Sequence, residues 1–469
     1  MLPLEAHPAN RIVLPDVLEM ILTPALPQEV NVKLDAVTLI LLVSVGTTSA
    51  LAQKKHNEVQ HVVVIFQENR TPDNLFGSNP NFLPGVDIAT SGLGSDGQQI
   101  PLTPVKLASN YDLDHGHAAF VKMYDNGSMD GADEIAVSCN PGAKGCPPEH
   151  AQFKYVDNSS GLLNPYFQLA QQYTFADRMF QTNQGPSFPA HQFIISGTSK
   201  PSPEKDLLAA ENPAGVPNAL NNTGCTAPAG EFVKMIDPSG SEALTMYPCF
   251  EHQTLADLLD TAGFSWRYYA PSAGSIWTGP NAIQHLRFGP DWSNDVVLRP
   301  AQVLTDISNG QLANVSWVIP TGQESDHAGG NTGLGPSWVA SIVNAIGQTA
   351  YWDNTVILIT WDDWGGWYDH VAPPIINSYE YGFRVPLIVV SPFAKQGYVS
   401  HVTHDFGSIL KFIEVTFNLP SLGYADALAD DLSDCFNFHG RNRFQKISAS
   451  HNAKYFVNDK TPATDPDND

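Results

Sequence analysis

Basic residues are scarce in this chain: 24 Lys and Arg stand against 48 Asp and Glu among 469 residues, a formal net charge of −24 at pH 7. A polyanion-binding protein needs a basic face that neutralises phosphates, so nucleic acid and anionic lipid are excluded as partners, whereas transient contact with zwitterionic lipid stays open. Cysteine is sparse too, at five residues. No CxxC or HExxH motif occurs, which argues against a structural zinc module or a zinc-protease helix. Long apolar runs are missing; the longest, residues 37–46, is too short for a comfortable membrane span. What the chain has instead is 42 % hydrophobic and 10 % aromatic residues, the composition of a packed protein, and 36 Gly with 36 Pro, which imply many turns and a loop-built site.

The apolar run is followed by Ala50-Leu51-Ala52, a small-x-small pattern that reads as a cleavage site after Ala52, with export of the remainder. Lys33 is the lone nearby positive charge and Asp35 sits between it and the run, so a buried strand is the competing reading. Residues 1–52 are thus expected to be an extension plus signal peptide, 53–440 a single catalytic domain and 441–469 a polar, frayed tail. Cys139 with Cys146, and Cys225 with Cys249, are close enough in sequence to staple loops in an oxidising compartment, leaving Cys435 as a spare thiol.

Along the chain, strand-like and helix-like patterns alternate. Val62–Phe66 is a buried, β-branched run that breaks into the polar segment 67–77; Asn354–Thr360 ends in the same way, and Val385–Ser391 precedes Pro392. Helical periodicity falls at Leu255–Ala262, Trp338–Thr349 and Gly407–Asn418. This alternation predicts an α/β fold, a doubly wound, mostly parallel sheet with helices on both faces. Residues 85–150 and 200–250, rich in small and turn-forming residues, read as loop or lid insertions.

Three polar clusters carry candidate chemistry. Glu68-Asn69 offers two hard oxygens at a strand end, suited to a divalent cation, or an Asx turn. Ser187, in Gly185-Pro-Ser-Phe-Pro-Ala-His191, stands where Pro189 can open a helix, at the positive end of its dipole, so it is a nucleophile or a plain cap. Asp362-Asp363, with Gly365-Gly366 allowing close backbone approach, calls for a cation between adjacent carboxylates unless it is a solvated acidic turn. His115 and His117, His327 beside Asp326, and His370 supply groups for phosphate contact or proton transfer.

Glu68-Asn-Arg-Thr-Pro-Asp-Asn-Leu-Phe-Gly77, Gly185-Pro-Ser-Phe-Pro189, the segment 255–269, Trp361-Asp-Asp-Trp-Gly-Gly-Trp-Tyr-Asp-His-Val-Ala-Pro-Pro374 and the segment 382–392 together resemble the bacterial phosphoesterase family, which includes non-haemolytic phospholipases C and an acid phosphatase. The resemblance runs in order from about His61 to Phe438 and implies an alkaline-phosphatase-like fold. It also implies that Glu68, Asn69, Asp362 and Asp363 hold a divalent metal (Ca²⁺, Mg²⁺ or Mn²⁺), that Ser187 is a nucleophile touching that metal, and that His115, His327 and His370 contact the phosphoryl group or protonate the leaving group. His117, His191 and Asp326 are expected on the substrate side. Two departures stand out. Phospholipase members often carry Thr where Ser187 stands and an Asn-Arg pair where Ala190-His191 stands, and Asp363 often corresponds to Glu.

The expectation is an exported, metal-dependent phosphoesterase of phospholipase C type acting on a phosphatidylcholine-like diester. An acid phosphatase would use the same residues, and a non-catalytic metal-dependent binding protein is the alternative from another class. A sulfatase on the same fold would want Arg where His191 stands.

Overall fold

The computed structural model describes residues 58–216 and 222–464. The leader expected over residues 1–52 lies outside the described residues, as do the last five of the tail.

Eight strands make one sheet. In chain order they are β1 (His61–Gln67), β2 (Thr174–Ala176), β3 (Trp266–Tyr269), β4 (Val296–Val297), β5 (Val315–Val318), β6 (Thr355–Trp361), β7 (Leu387–Val390) and β8 (Tyr398–Ser400). Across the sheet the order is β4-β3-β5-β1-β6-β7-β2-β8. Every neighbouring pair is parallel except those made by β7, which runs against both β6 and β2. The apolar run 385–391 is therefore a strand as expected, but inverted. An unbroken apolar run marks burial on both faces and carries no sign of direction.

The pleat sends alternate side chains to opposite faces, and each face meets helices. Phe66 packs edge-on against Phe406 and His191, while Trp361, in register with the next residue Gln67, packs against Tyr166. One helix set holds α1 (Asn164–Gln172) and α4 (Gly335–Gly347); the other holds α2 (Ser187–Ser196), α3 (Leu255–Ala262) and α5 (Phe406–Phe417). Local signals fix the ends: α3 starts in a Thr254/Asp257 capping box and stops at left-handed Gly263, and α5 starts in an Asp405/Ser408 box and stops at left-handed Asn418.

The two insertions fold into structure of their own. Short two-stranded ladders and the helix His117–Tyr124 occupy 91–156, and a three-stranded sheet links Leu208–Ala209, Val233–Ile236 and Leu244–Met246. The first insertion builds a second apolar cluster around Leu113, Phe120, Met123 and Phe153, which takes in Trp364 and Trp367 from the loop after β6. Disulfides join Cys139 to Cys146 and Cys225 to Cys249, and Cys435 is a buried thiol.

The segment after 440 packs where fraying was expected. Ile447 and Phe456 are buried, Phe456 meets Trp338 edge-on, and Asn344 exchanges two hydrogen bonds with the Ile447 backbone. A few spaced apolar residues in a polar stretch are enough to cover one helix, and composition averages hide them. Further on, Gly322 N–H donates to Thr464 O at 2.6 Å and Gln323 Nε2 to Pro462 O at 2.9 Å, so the tail lies against the loop after β5.

Candidate active site

Parallel strands deliver their C-terminal ends to one edge of the sheet. Register pairs Gln67 with Trp361, so Glu68-Asn69 and Asp362-Asp363 leave the sheet side by side. Asn69 has φ 58°, in the left-handed region that Asn tolerates better than most residues. There its backbone N–H donates to Asp362 Oδ1 at 3.0 Å, while its Nδ2 donates to Asp363 Oδ1 at 3.1 Å and to His115 Nε2 at 3.0 Å. Gly365 and Gly366 also have positive φ, and a Cβ on Gly365 would stand 2.7 Å from Asn69 Cβ and O. The expected close approach is real, and its partner is the backbone of Asn69.

Ser187 is the first residue of α2, with Pro186 as N-cap and Pro189 in the first turn. Its Oγ lies 3.4 Å from Glu68 Oε2 and 3.3 Å from Asp363 Oδ2, fully buried. One hydroxyl proton is shared between two carboxylate oxygens. Removing it would gather three negative oxygens, which only a cation can stabilise. Two further oxygens of the cluster, Asn69 Oδ1 and Asp362 Oδ2, are buried without a hydrogen-bond partner. Hard, buried acceptors left open in this way are a donor set for a divalent ion, and the residues fit the expected metal.

The imidazoles divide. His115 Nδ1 donates to Leu113 O at 2.7 Å, which leaves Nε2 as the acceptor for Asn69 in the neutral ring. His327 Nδ1 donates to Ala328 O at 2.6 Å, and its ring stands edge-on to that of His115 with centroids 5.9 Å apart. Both rings are fully buried, and His115 Nε2 stands 3.9 Å from Asp363 Oδ2. His191 lies closer than its expected substrate-side role implied. Its Nε2 is 3.1 Å from Glu68 Oε1 and its Nδ1 3.2 Å from the Tyr268 hydroxyl, and burial pushes its pKa down to about 4, so the ring is neutral at pH 7.

Three expected residues have partners of their own. His370 gives Nδ1 to Asp73 Oδ2 at 2.7 Å and Nε2 to Asp87 Oδ1 at 3.0 Å, so both ring nitrogens are occupied in a separate ion cluster around Arg384. Asp326 is enclosed: its Oδ2 accepts from Tyr166 and Trp361, and burial raises its pKa to about 6. His117 bonds Glu242 at 2.5 Å and packs on Tyr379. His370 was expected from the family resemblance, and His117 and Asp326 from the motifs around His115 and His327; a motif does not show which partner a side chain takes.

Some supporting residues were not foreseen. Buried Arg70 donates to the Asp326 carbonyl through Nε at 2.8 Å and Nη2 at 2.6 Å, fixing the loop that presents His327. Asn212 Oδ1 accepts the Phe188 N–H at 2.9 Å beside Ser187. Tyr268 backs His191. Arg70 follows the acidic motif directly and Tyr268 falls in the family-like segment 255–269, both signals available in the sequence, whereas Asn212 carries none.

The Phosphoesterase family profile matches residues 59–420. The chain is similar to a non-hemolytic phospholipase C of Burkholderia pseudomallei, 31 % identical over 442 residues that cover 81 % of this chain and 59 % of that protein. It is also similar to a non-hemolytic phospholipase C of Pseudomonas aeruginosa, at 24 % over 460 residues covering 83 % of this chain and 59 % of the relative. The chain thus spans less than two thirds of the length of these relatives. Among solved structures, an alkaline phosphatase superfamily protein from Vibrio parahaemolyticus aligns at 12 % identity and TM-score 0.33, covering 81 % of this chain and 77 % of that one. An overlap that low carries no argument, and the α/β assignment rests on the sheet described above.

Proposed function

The chain belongs to the phosphoesterase family, and from that premise we propose that it is a metal-dependent phosphoric ester hydrolase in which Ser187 is the nucleophile. The observation that carries this reading is Ser187 Oγ between Glu68 and Asp363, with Asn69 Oδ1 and Asp362 Oδ2 open beside them. Glu68, Asn69, Asp362, Asp363 and Ser187 would hold the ion. A bound divalent cation neutralises the carboxylates and lowers the pKa of a serine hydroxyl.

Ser187, aimed by the first turn of α2, attacks phosphorus in line as the P–O bond to the leaving alcohol breaks and the alcohol takes up a proton, and water later hydrolyses the phosphoseryl ester to release the phosphate product and restore the hydroxyl. Asn69, pinned through its backbone and side chain, keeps the two acidic motifs in register. His327, with Nδ1–H committed to a carbonyl, turns Nε2 to the reacting group, where a protonated ring can stabilise an equatorial oxygen or protonate the leaving group, while His115, held between Leu113 O and Asn69 Nδ2, positions Asn69. His370 is assigned here to structure and not to chemistry.

The substrate we propose is a phosphodiester of the phospholipase C type, supported by the phospholipase C relatives and by the shortage of basic side chains, which disfavours dianionic monoesters. Export is part of the same proposal, supported by the two disulfides. Among the described residues no helix is long and apolar enough to cross a membrane.

The test is hydrolysis of p-nitrophenylphosphorylcholine beside p-nitrophenyl phosphate by the full chain, with and without chelator, and with Ser187→Ala. Diester cleavage lost in both controls is expected. Faster monoester cleavage would make the protein a phosphatase. Near-wild-type turnover by folded Ser187→Ala would remove the serine mechanism.

A further inference from the structure

His191 faces Glu68 in a way that its hydrogen bonds do not explain by themselves. The Tyr268 hydroxyl has a single proton to give, and the Trp277 carbonyl, which can only accept, lies 2.8 Å from it. Gly279 N–H already points at the phenolic oxygen from 3.3 Å. With the hydroxyl proton on Trp277, His191 Nδ1 reaches the same oxygen at 3.2 Å as a donor, which puts the proton of the neutral ring on Nδ1. Nε2 then turns its lone pair toward Glu68 Oε1 at 3.1 Å. Two acceptors facing each other in a buried site repel, and a cation seated between them turns the repulsion into two bonds.

The surroundings match such a ligand. Glu68, His191 and Asp362 each bring one donor atom to within 4.8 Å of the others, and all three are buried. Asp362 Oδ2 has no hydrogen-bond partner. Metal-bound histidines regularly donate their far N–H to a fixed polar group that sets tautomer and ring angle, and Tyr268, itself tied to Trp277 and Gly279, supplies that group here.

We propose that His191 Nε2 is a direct ligand to the ion of this site and that, with Glu68 and Asp362, it selects a borderline ion such as Zn²⁺ or Co²⁺ over the hard ions Ca²⁺ and Mg²⁺. Imidazole nitrogen suits the former and all-oxygen cages the latter. This replaces the hard ion expected from the oxygen ligands alone, and it rests on the metal-dependent reading of the site.

The experiment uses the full chain stripped with chelator, then titrated with Zn²⁺, Co²⁺ or Ca²⁺ by calorimetry and, for Co²⁺, by visible absorption. His191→Gln and Tyr268→Phe serve as variants, and X-ray absorption of the Zn²⁺-loaded wild type reports the ligand atoms. Expected are tight Zn²⁺ uptake and imidazole scattering in the wild type. His191→Gln should lose about 100-fold or more in Zn²⁺ affinity and shift the Co²⁺ bands, Tyr268→Phe should lose about 10-fold, and Ca²⁺ affinity should stay within about threefold. An all-oxygen ligand shell in the wild type overturns the proposal whether or not the variants fold. So does Zn²⁺ affinity within about threefold in folded His191→Gln. A wild type that binds none of these ions would instead remove the metal-dependent reading itself, which separates the two failures.

Discussion

Asp73, Asp369 and His370 form one buried knot of acid and imidazole; Glu68, Asp362 and His191 form another, yet the first is filled by a guanidinium while the second keeps open acceptors. Arg384 donates Nε to Asp369 Oδ1 at 2.7 Å and Nη2 to Asp369 Oδ2 at 2.9 Å and Asp73 Oδ1 at 3.2 Å. The remaining Asp73 oxygen takes both the backbone N–H and Nδ1 of His370, so every carboxylate oxygen of that knot has a partner. Around Ser187, Asn69 Oδ1 and Asp362 Oδ2 have none. Buried carboxylates demand positive charge. Where the chain supplies it from its own arginine the cluster is a clasp between loops, and the cluster with open acceptors is the one proposed to bind an ion and react.

Substitutions in the two knots should therefore fail in different ways. Ser187→Ala should lower kcat/KM at least ~10³-fold while the melting temperature moves little, since a small buried hydroxyl is lost from an ion-binding set. Arg384→Met should do the reverse: it strands Asp73 and Asp369 and costs about 3–5 kcal/mol in denaturant unfolding, with turnover per folded molecule nearly unchanged. A large loss of turnover in folded Arg384→Met would break the comparison. Chelation should lower the melting temperature through the open cluster alone. Restoring the ion to about 100-fold above its Kd should return roughly 2.7 kcal/mol to either the wild type or Arg384→Met.

The smallest effect is the most diagnostic. Burial alone would lower the pKa of His370, but the hydrogen bond to Asp73 and the charges of Asp73 and Asp369 outweigh it and raise it to about 9. The folded state then holds the proton more tightly than the unfolded chain, whose ring titrates near 6.5. Stability from this pair is complete below about pH 6.5 and is lost as pH rises through 9. His370→Gln should flatten that part of a pH–stability profile and leave turnover within about tenfold. A collapse of kcat in the folded variant would return His370 to the catalytic set.

Much of the frame was legible because long apolar runs and capping residues are local signals. Residues 62–66 and 354–360 became β1 and β6, and Leu255–Ala262 carried its own Thr254 cap and Gly263 stop. The reversed direction of β7 and the packing of Ile447 and Phe456 were not legible, since both depend on partners far along the chain. In the site, Glu68, Asn69, Ser187, Asp362 and Asp363 converge because their motifs end or begin regular elements at one sheet edge. His191 and His370 diverged from expectation for a common reason. Each was read from its own motif, whereas Tyr268 and Arg384, which bond those rings, come from other strands and loops.

The tail's contact with residues 322–323 has a practical side. The stretch 321–327 ends in His327, so the bonds to Pro462 and Thr464 tie the tail to the loop that carries the imidazole proposed for proton transfer. A purification handle placed there would tug on that ring, and comparing turnover before and after its proteolytic removal is a sensible control in any assay of this protein.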